Sequence, residues 1–247
     1  MAGVHLLDRM IGNAYPTFTA DEDIRAFERT PYGDRIAAAS TYEALKLGAA
    51  RNPDAPAIQL LPNAEPADTP VTISYRDFIA QVTQAANMFH ALGVGPNDVV
   101  SFLLPLLPEA FVTLFGAEAT GIANPVNPLL EPYQIAEILE AARTTVLVAL
   151  GPMPGTDIWQ KVETVRGQLK QLKAIVQVHG AGDPAREIYS FNDLIRKQPS
   201  DHSSAAARSP VTTSRPISTP AAPPARPSWS VTPTPTKSIR PGAATCC

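Results

Sequence analysis

The chain is nearly free of cysteine. Its two cysteines, Cys246 and Cys247, are the last of 247 residues, and an adjacent terminal pair builds neither a disulfide framework nor a zinc site. A body without cysteine fits a reducing compartment, and a cytoplasmic location is expected. Histidine is also sparse. His5, His90, His179 and His202 are scattered without metal-ligand spacing, and all four read as structural or exposed. Residues 1–16 lack the basic-then-apolar pattern of a signal peptide. Long apolar runs are scarce too. Residues 99–126 carry only Glu109 and Glu118 as charges, but Pro105 and Pro108 divide them into a short strand and a helix, which excludes a membrane span.

A further absence splits the chain in two. From Ser203 onward there is no Asp, Glu, Asn, Gln, His, Leu, Met, Phe or Tyr, and Ser, Thr, Ala, Pro and Arg make up almost everything. The 20 basic and 23 acidic residues give a net charge of −3. Five of the basic ones (Arg208, Arg215, Arg226, Lys237 and Arg240) follow His202, which leaves the body at −8 and the tail at +5. An acidic body argues against phosphate-driven binding of nucleic acid. The tail is basic but too sparse for a polybasic patch. Poor in aromatics and rich in Pro, Ser and Thr, it is expected to be disordered.

The body reads as alternating helices and strands. Residues 41–50 form a helix with Thr41 as its N-cap, stopped by Arg51-Asn52-Pro53-Asp54. Residues 57–61 are a short strand, 62–70 a Pro/Asp-rich loop, and 71–74 an alternating strand. Residues 75–92 are the strongest helix, with Phe78, Val82, Ala85, Ala86, Phe89 and Leu92 on one buried face. Residues 99–104 are apolar throughout and short, as in a strand covered on both faces. Helices over 109–121, 133–143 and 157–172 alternate with strands over 146–150 and 174–178. This pattern implies an α/β fold with a mostly parallel sheet and crossover helices.

No self-contained catalytic constellation is present. Gly93-Val94-Gly95 follows a helix and precedes a strand, the reverse of a dinucleotide-binding fingerprint, and reads as a helix exit. No Gly-x-Ser-x-Gly elbow, isolated cysteine nucleophile or paired carboxylates occur. Glu109 and Glu118 flank one helix and read as solvating it or capping its first turn. No residue is assigned a catalytic, cofactor-binding or metal-binding role.

Five segments nonetheless stand in a specific order. They are Thr72-Ile73-Ser74-Tyr75-Arg76-Asp77-Phe78; Ala85-Ala86-Asn87; Leu92-Gly93-Val94-Gly95-Pro96-Asn97-Asp98-Val99-Val100; Leu104-Pro105-Leu106-Leu107-Pro108-Glu109; and Gly121-Ile122-Ala123-Asn124-Pro125-Val126-Asn127-Pro128. Together, over roughly residues 41–197, they resemble the N-terminal region of the AMP-forming acyl-CoA synthetases, in the adenylate-forming superfamily. The resemblance implies a parent activity in which a carboxylic acid and MgATP form an acyl-adenylate, whose acyl group passes to coenzyme A. It implies ATP, Mg and CoA for the parent enzyme, a role in fatty acid metabolism, and no cofactor in this chain. The family's Gly/Thr-rich phosphate loop, acidic magnesium ligand, ribose-binding aspartate and C-terminal lysine match no residue here. The expected division is an N-terminal extension over 1–40, an incomplete AMP-binding domain over 41–198 and a tail over 199–247.

The family's phosphate loop is expected soon after the change of composition. If one nucleotide was lost, or two gained, near codon 203, each original codon is the last base of one tail codon and the first two of the next. Residues 217–230, Ile-Ser-Thr-Pro-Ala-Ala-Pro-Pro-Ala-Arg-Pro-Ser-Trp-Ser, then admit F-H-T-G-G-T-T-G-T-P-K-L-V. The family's loop is Thr-Gly-Gly-Thr-Thr-Gly-x-Pro-Lys. Its backbone N–H groups converge on phosphate and its glycines supply the dihedrals. The tail as translated places prolines, which have no N–H, at those positions.

Three readings follow. The first is a frameshifted, truncated synthetase fragment without ligase activity. The second is a non-catalytic binding or tethering protein, since Pro-rich segments bind SH3-type domains and a terminal Cys-Cys resembles a prenylation site. In the third, the body alone binds an acyl or nucleotide ligand as a half-site. An incomplete sheet is expected to leave an open edge and uncovered apolar surface.

Overall fold

A computed structural model of the chain describes residues 18–31, 38–61, 65 and 69–203. The tail expected to be disordered, and most of the 62–70 loop, lie outside the described residues. Helix α1 (Asp21–Glu28) buries none of its residues. Its N-terminus is closed by Asp23, whose Oδ2 accepts the Thr19 N–H (2.9 Å), the Thr19 hydroxyl (2.9 Å) and the Ala20 N–H (3.1 Å). These donors, the Thr19 backbone foremost, favour the ionised carboxylate and hold it below its ordinary pKa.

Helix α2 (Thr41–Ala49) is capped one residue earlier than the sequence suggests. Ser40, in extended conformation, accepts the Glu43 N–H at 3.1 Å. Either hydroxyl suits a cap, and the residue that leaves the helical dihedrals takes the role, so Thr41 is the first helical residue. Strands β1 (Pro56–Leu60) and β2 (Val71–Ser74) pair antiparallel as a separate two-stranded sheet.

Helix α3 (Tyr75–Ala91) follows β2 directly. Ser74 Oγ accepts the Asp77 N–H at 3.1 Å and donates its proton to Asp77 Oδ2 at 2.7 Å. The face named above is buried at Phe78, Val82, Ala85, Ala86 and Phe89, while Leu92 is the half-buried C-cap. The helix exit is a glycine motif: Gly93 has φ +81°, the Val94 N–H bonds the Phe89 carbonyl, and the Gly93 N–H bonds the His90 carbonyl. Tyr42 ties α2 to this helix. Thr83 gives its proton to the Ile79 carbonyl (2.7 Å), so the Tyr42 hydroxyl donates to Thr83 Oγ1 at 2.7 Å.

The main sheet holds β3 (Val99–Leu103), β4 (Ile122–Pro125), β5 (Thr144–Leu150), β6 (Ala174–Val178), β7 (Gly182–Asp183) and β8 (Ile188–Ser190), in the order β4-β3-β5-β6-β8-β7. All neighbours are parallel except β7 and β8. Every residue of β3, β5 and β6 is buried, as in strands covered on both faces. The edge strand β4 is exposed at both ends.

Helices α4 (Pro108–Glu118), α5 (Pro132–Ala141), α6 (Ile158–Val165) and α7 (Phe191–Ile195) complete the order. Helix α3 packs with α2, α4 and α7, α2 also packs with α4, and α5 packs with α6. The β3–α4–β4 crossover and the β4–α5–β5 crossover run in opposite directions along the sheet, so right-handed connections put α4 and α5 on opposite faces.

The helix expected over 157–172 stops at Val165 and gives way to a 3-10 turn, Arg166–Gln168. Gly167 lies in that turn, and glycine is a poor helix former. The helix expected over 109–121 spans Pro108–Glu118 instead. Among the described residues no helix is long and apolar enough to cross a membrane.

Candidate functional site

In open parallel sheets ligands bind outside the carboxyl ends of the strands, where the connection order reverses. Here the reversal falls between β3 and β5. From β3 the chain moves outward to β4, then crosses back to β5 on the other side. The carboxyl ends place Leu104-Pro105-Leu106, Val126-Asn127-Pro128, Leu150-Gly151 and Val178-His179 around one rim.

Leu106, Leu129, Tyr133 and Met153 are exposed on segments leaving this rim. Two groups read separately in the sequence come together beside it. His179 Nε2 lies 3.3 Å from Glu109 Oε1, joining the end of β6 to the first turn of α4. Glu109, expected to solvate its helix or cap its first turn, thus also reaches across to the end of β6. Periodicity could not reveal this, since the partners are 70 residues apart. His179 has φ +55°, a left-handed conformation uncommon outside glycine.

The polar motif residues pin the strands together. Asn124 donates to Ser101 Oγ at 2.8 Å, linking β4 to β3. Thr144 gives its proton to the Leu139 carbonyl (2.9 Å), so the Ser101 hydroxyl donates to Thr144 Oγ1 at 2.7 Å. The chain of donors crosses three strands. In the turn before β3, Asp98 Oδ2 accepts the Gly95 N–H at 2.8 Å, and Thr145 donates to Asp98 Oδ1 at 3.3 Å. Gly121 packs so closely on this turn that a Cβ would stand 2.6 Å from the Asp98 carbonyl oxygen and 2.7 Å from that of Gly95.

Lys161 and Gly151, near the rim, are already engaged within the fold. The Lys161 ammonium, on a side chain only 11% exposed, is engaged by the Pro128 carbonyl (2.9 Å) and Asp157 (3.2 Å). Gly151 is tight against the backbone of Val178 and His179, as strand packing requires, and forms no open cradle. Among the described residues no three His, Cys, Asp or Glu side chains gather as for a metal ion. A groove of about 460 Å³ lies between β1, α3 and α4, lined by Ile58, Leu60, Phe78, Leu107, Phe111 and Phe115 among others. Phe78 and Phe115 meet there edge to face at 5.9 Å. Its lining offers no cation for phosphate.

Comparison with known proteins identifies the scaffold. The model of the AMP-binding enzyme family matches residues 45–228. Marinolic acid–CoA ligase of Pseudoalteromonas sp. (strain SANK 73390) is 32% identical over 177 residues, covering 72% of this chain and 27% of the ligase. 4-Coumarate–CoA ligase 1 of Arabidopsis thaliana is 37% identical over 76 residues, covering 30% of this chain and 14% of that enzyme. The crystal structure of the anthranilate CoA ligase AuaEII with anthranoyl-AMP superposes with a TM-score of 0.57 at 25% identity, over 66% of this chain and 29% of that one. This chain thus spans about a quarter or less of the curated ligases named here. Its fold is that of the N-terminal domain of adenylate-forming enzymes, and the chain belongs to the AMP-binding enzyme family.

Proposed function

We propose that residues 41–198 are the opening part of the large domain of an acyl-CoA ligase, and that these 247 residues alone do not catalyse ligation. The parent reaction is activation of a carboxylic acid by MgATP to an acyl-adenylate, followed by acyl transfer to CoA. The matched relatives support this, being ligases named for marinolic and 4-coumaric acids. The observation that carries the loss of activity is the run Ser218-Thr219-Pro220-Ala221-Ala222-Pro223-Pro224-Ala225. It stands where the family's phosphate loop is expected and offers prolines in place of N–H donors. Read one base out of register, the same codons admit the loop itself. On this reading the segment is a frameshift product, and the parent enzyme is a cytoplasmic ligase of fatty acid metabolism.

A second reading keeps the tail in its present frame as a divergent part of the domain. The reach of the family match to residue 228, well past His202, favours it. Both readings leave prolines without an N–H at positions 220, 223 and 224 of the segment.

The test is carboxylate-dependent ATP–pyrophosphate exchange by the purified chain, with a panel of aliphatic and aromatic acids. No exchange above background is expected. Robust exchange with any acid contradicts the proposal.

A further inference from the structure

Asn87 lies in the middle of the family-like Ala85-Ala86-Asn87 segment, yet the motif alone gives it no task. In the structure it is 4% exposed on α3. Its Nδ2 donates one proton to the Pro199 carbonyl and the other to the His202 carbonyl, each at 2.9 Å. One helical turn earlier on the same face, Gln84 Nε2 donates to the Gln198 carbonyl at 3.1 Å. Two side chains of one helix therefore hold three carbonyls of the segment that follows α7.

Helix α7 spans only five residues and anchors through Phe191 and Ile195. Beyond it, the Lys197 and Gln198 N–H groups reach back to Leu194 and Ile195. Pro199 has no N–H to offer. A primary amide suits this position because it carries two protons, which here go to carbonyls three residues apart and pin both ends of a turn.

We propose that Asn87 is a positioning residue, which fixes the point where the chain passes α3, from Pro199 to His202. In a ligase built on this scaffold that point is the approach to the phosphate loop, so Asn87 would set where the loop begins. This last step rests on the ligase reading, whereas the clamp is a property of the described fold. A carboxylate at position 87 could not replace it, since it lacks both donors and would set an oxygen against two carbonyl oxygens.

NMR of the full chain tests the clamp directly. The side-chain amide protons of Asn87 should exchange slowly and show nuclear Overhauser contacts to Pro199 and His202. In Asn87→Asp the backbone amides of residues 201–203 should exchange at least tenfold faster, while those of β3 and β5 keep their wild-type rates. Gln84→Ala, which spares the buried amide, should give a smaller increase centred on Gln198. Fast-exchanging Asn87 side-chain protons without those contacts in the wild-type chain would overturn the proposal, even if Asn87→Asp failed to fold. Unchanged exchange at 201–203 in a folded Asn87→Asp would do the same. Neither outcome depends on whether ATP–pyrophosphate exchange is found.

Discussion

Asn124 and Ser101 join the edge of the sheet to its centre: the Asn124 amide donates to Ser101 Oγ at 2.8 Å, and Ser101 passes its own proton to Thr144. Ser101 is fully buried. Ser101→Ala leaves the Asn124 donor and the Thr144 acceptor without this partner, which costs about 1–3 kcal/mol. Urea unfolding measures it. A change below about 0.5 kcal/mol would show that the donor chain is not holding β4, since surface-like substitutions fall in that range.

Gly116 sets the distance between α4 and α3. A Cβ at this position would lie 2.6 Å from the Ala85 Cβ and 3.2 Å from backbone atoms of Ala85 and Ala86. Gly116→Ala should therefore destabilise by about 1–3 kcal/mol despite alanine's better helix propensity. Ala85→Gly removes the nearest obstacle but weakens α3 by about 1 kcal/mol. The double variant should be more stable than the two single effects summed, and a double-mutant cycle reads the difference. Strict additivity would place the strain elsewhere.

Lys161 separates two contributions that share one ammonium. Its bond to the Pro128 carbonyl is shielded, whereas Asp157 is 69% exposed. Lys161→Met should cost about 1.5–3 kcal/mol, the range for a hydrogen bond from a charged group. Asp157→Asn should cost less than about 1 kcal/mol, as an exposed ion pair does. Thermal unfolding of both variants at low and high salt checks the order. The reverse order would mean that the ion pair, and not the tie to the loop after β4, holds α6.

Asp23 predicts a local response to acid. Its carboxyl is held below its ordinary pKa by the Thr19 and Ala20 donors. A depressed folded-state pKa stabilises α1 at pH above the unfolded value, about 3.9, and that stability is lost as pH falls through the lower folded value. NMR titration should show the Thr19 and Ala20 amide signals moving with the Asp23 carboxyl, at a pH below the ordinary aspartate range. Titration of Asp23 at or above that range would contradict the cap.

The sequence carried the alternation of strands and helices because the central strands are buried on both faces and read as unbroken apolar runs. The exit of α3 was equally legible, since Gly93 is needed for a left-handed residue and Val94 for the buried contact after it. Short elements were not. The β7–β8 hairpin and α7 have too few residues to show a period. The His179–Glu109 contact and the Asn87 clamp join residues 70 and more apart, and no local spacing records them. The extent of α6 was overread because its apolar pattern continues past Val165 while Gly167 turns the backbone.

The nucleotide sequence from codon 203 to codon 230 tests the central claim most directly. If the phosphate loop is present one base out of register, the codons for Pro220, Ala221 and Pro224 end in G, because only G completes the displaced glycine codons. Those for Thr219, Ala222, Pro223 and Ala225 end in A, completing the threonines. The codon for Pro227 also ends in A, and Ser228 is encoded by AGT or AGC, which completes the lysine. Codons for Pro220 and Ala221 ending in any other base would put arginine, serine or cysteine where the loop needs glycine. The frameshift reading would then be wrong, and the tail would stand as a divergent segment in its own frame.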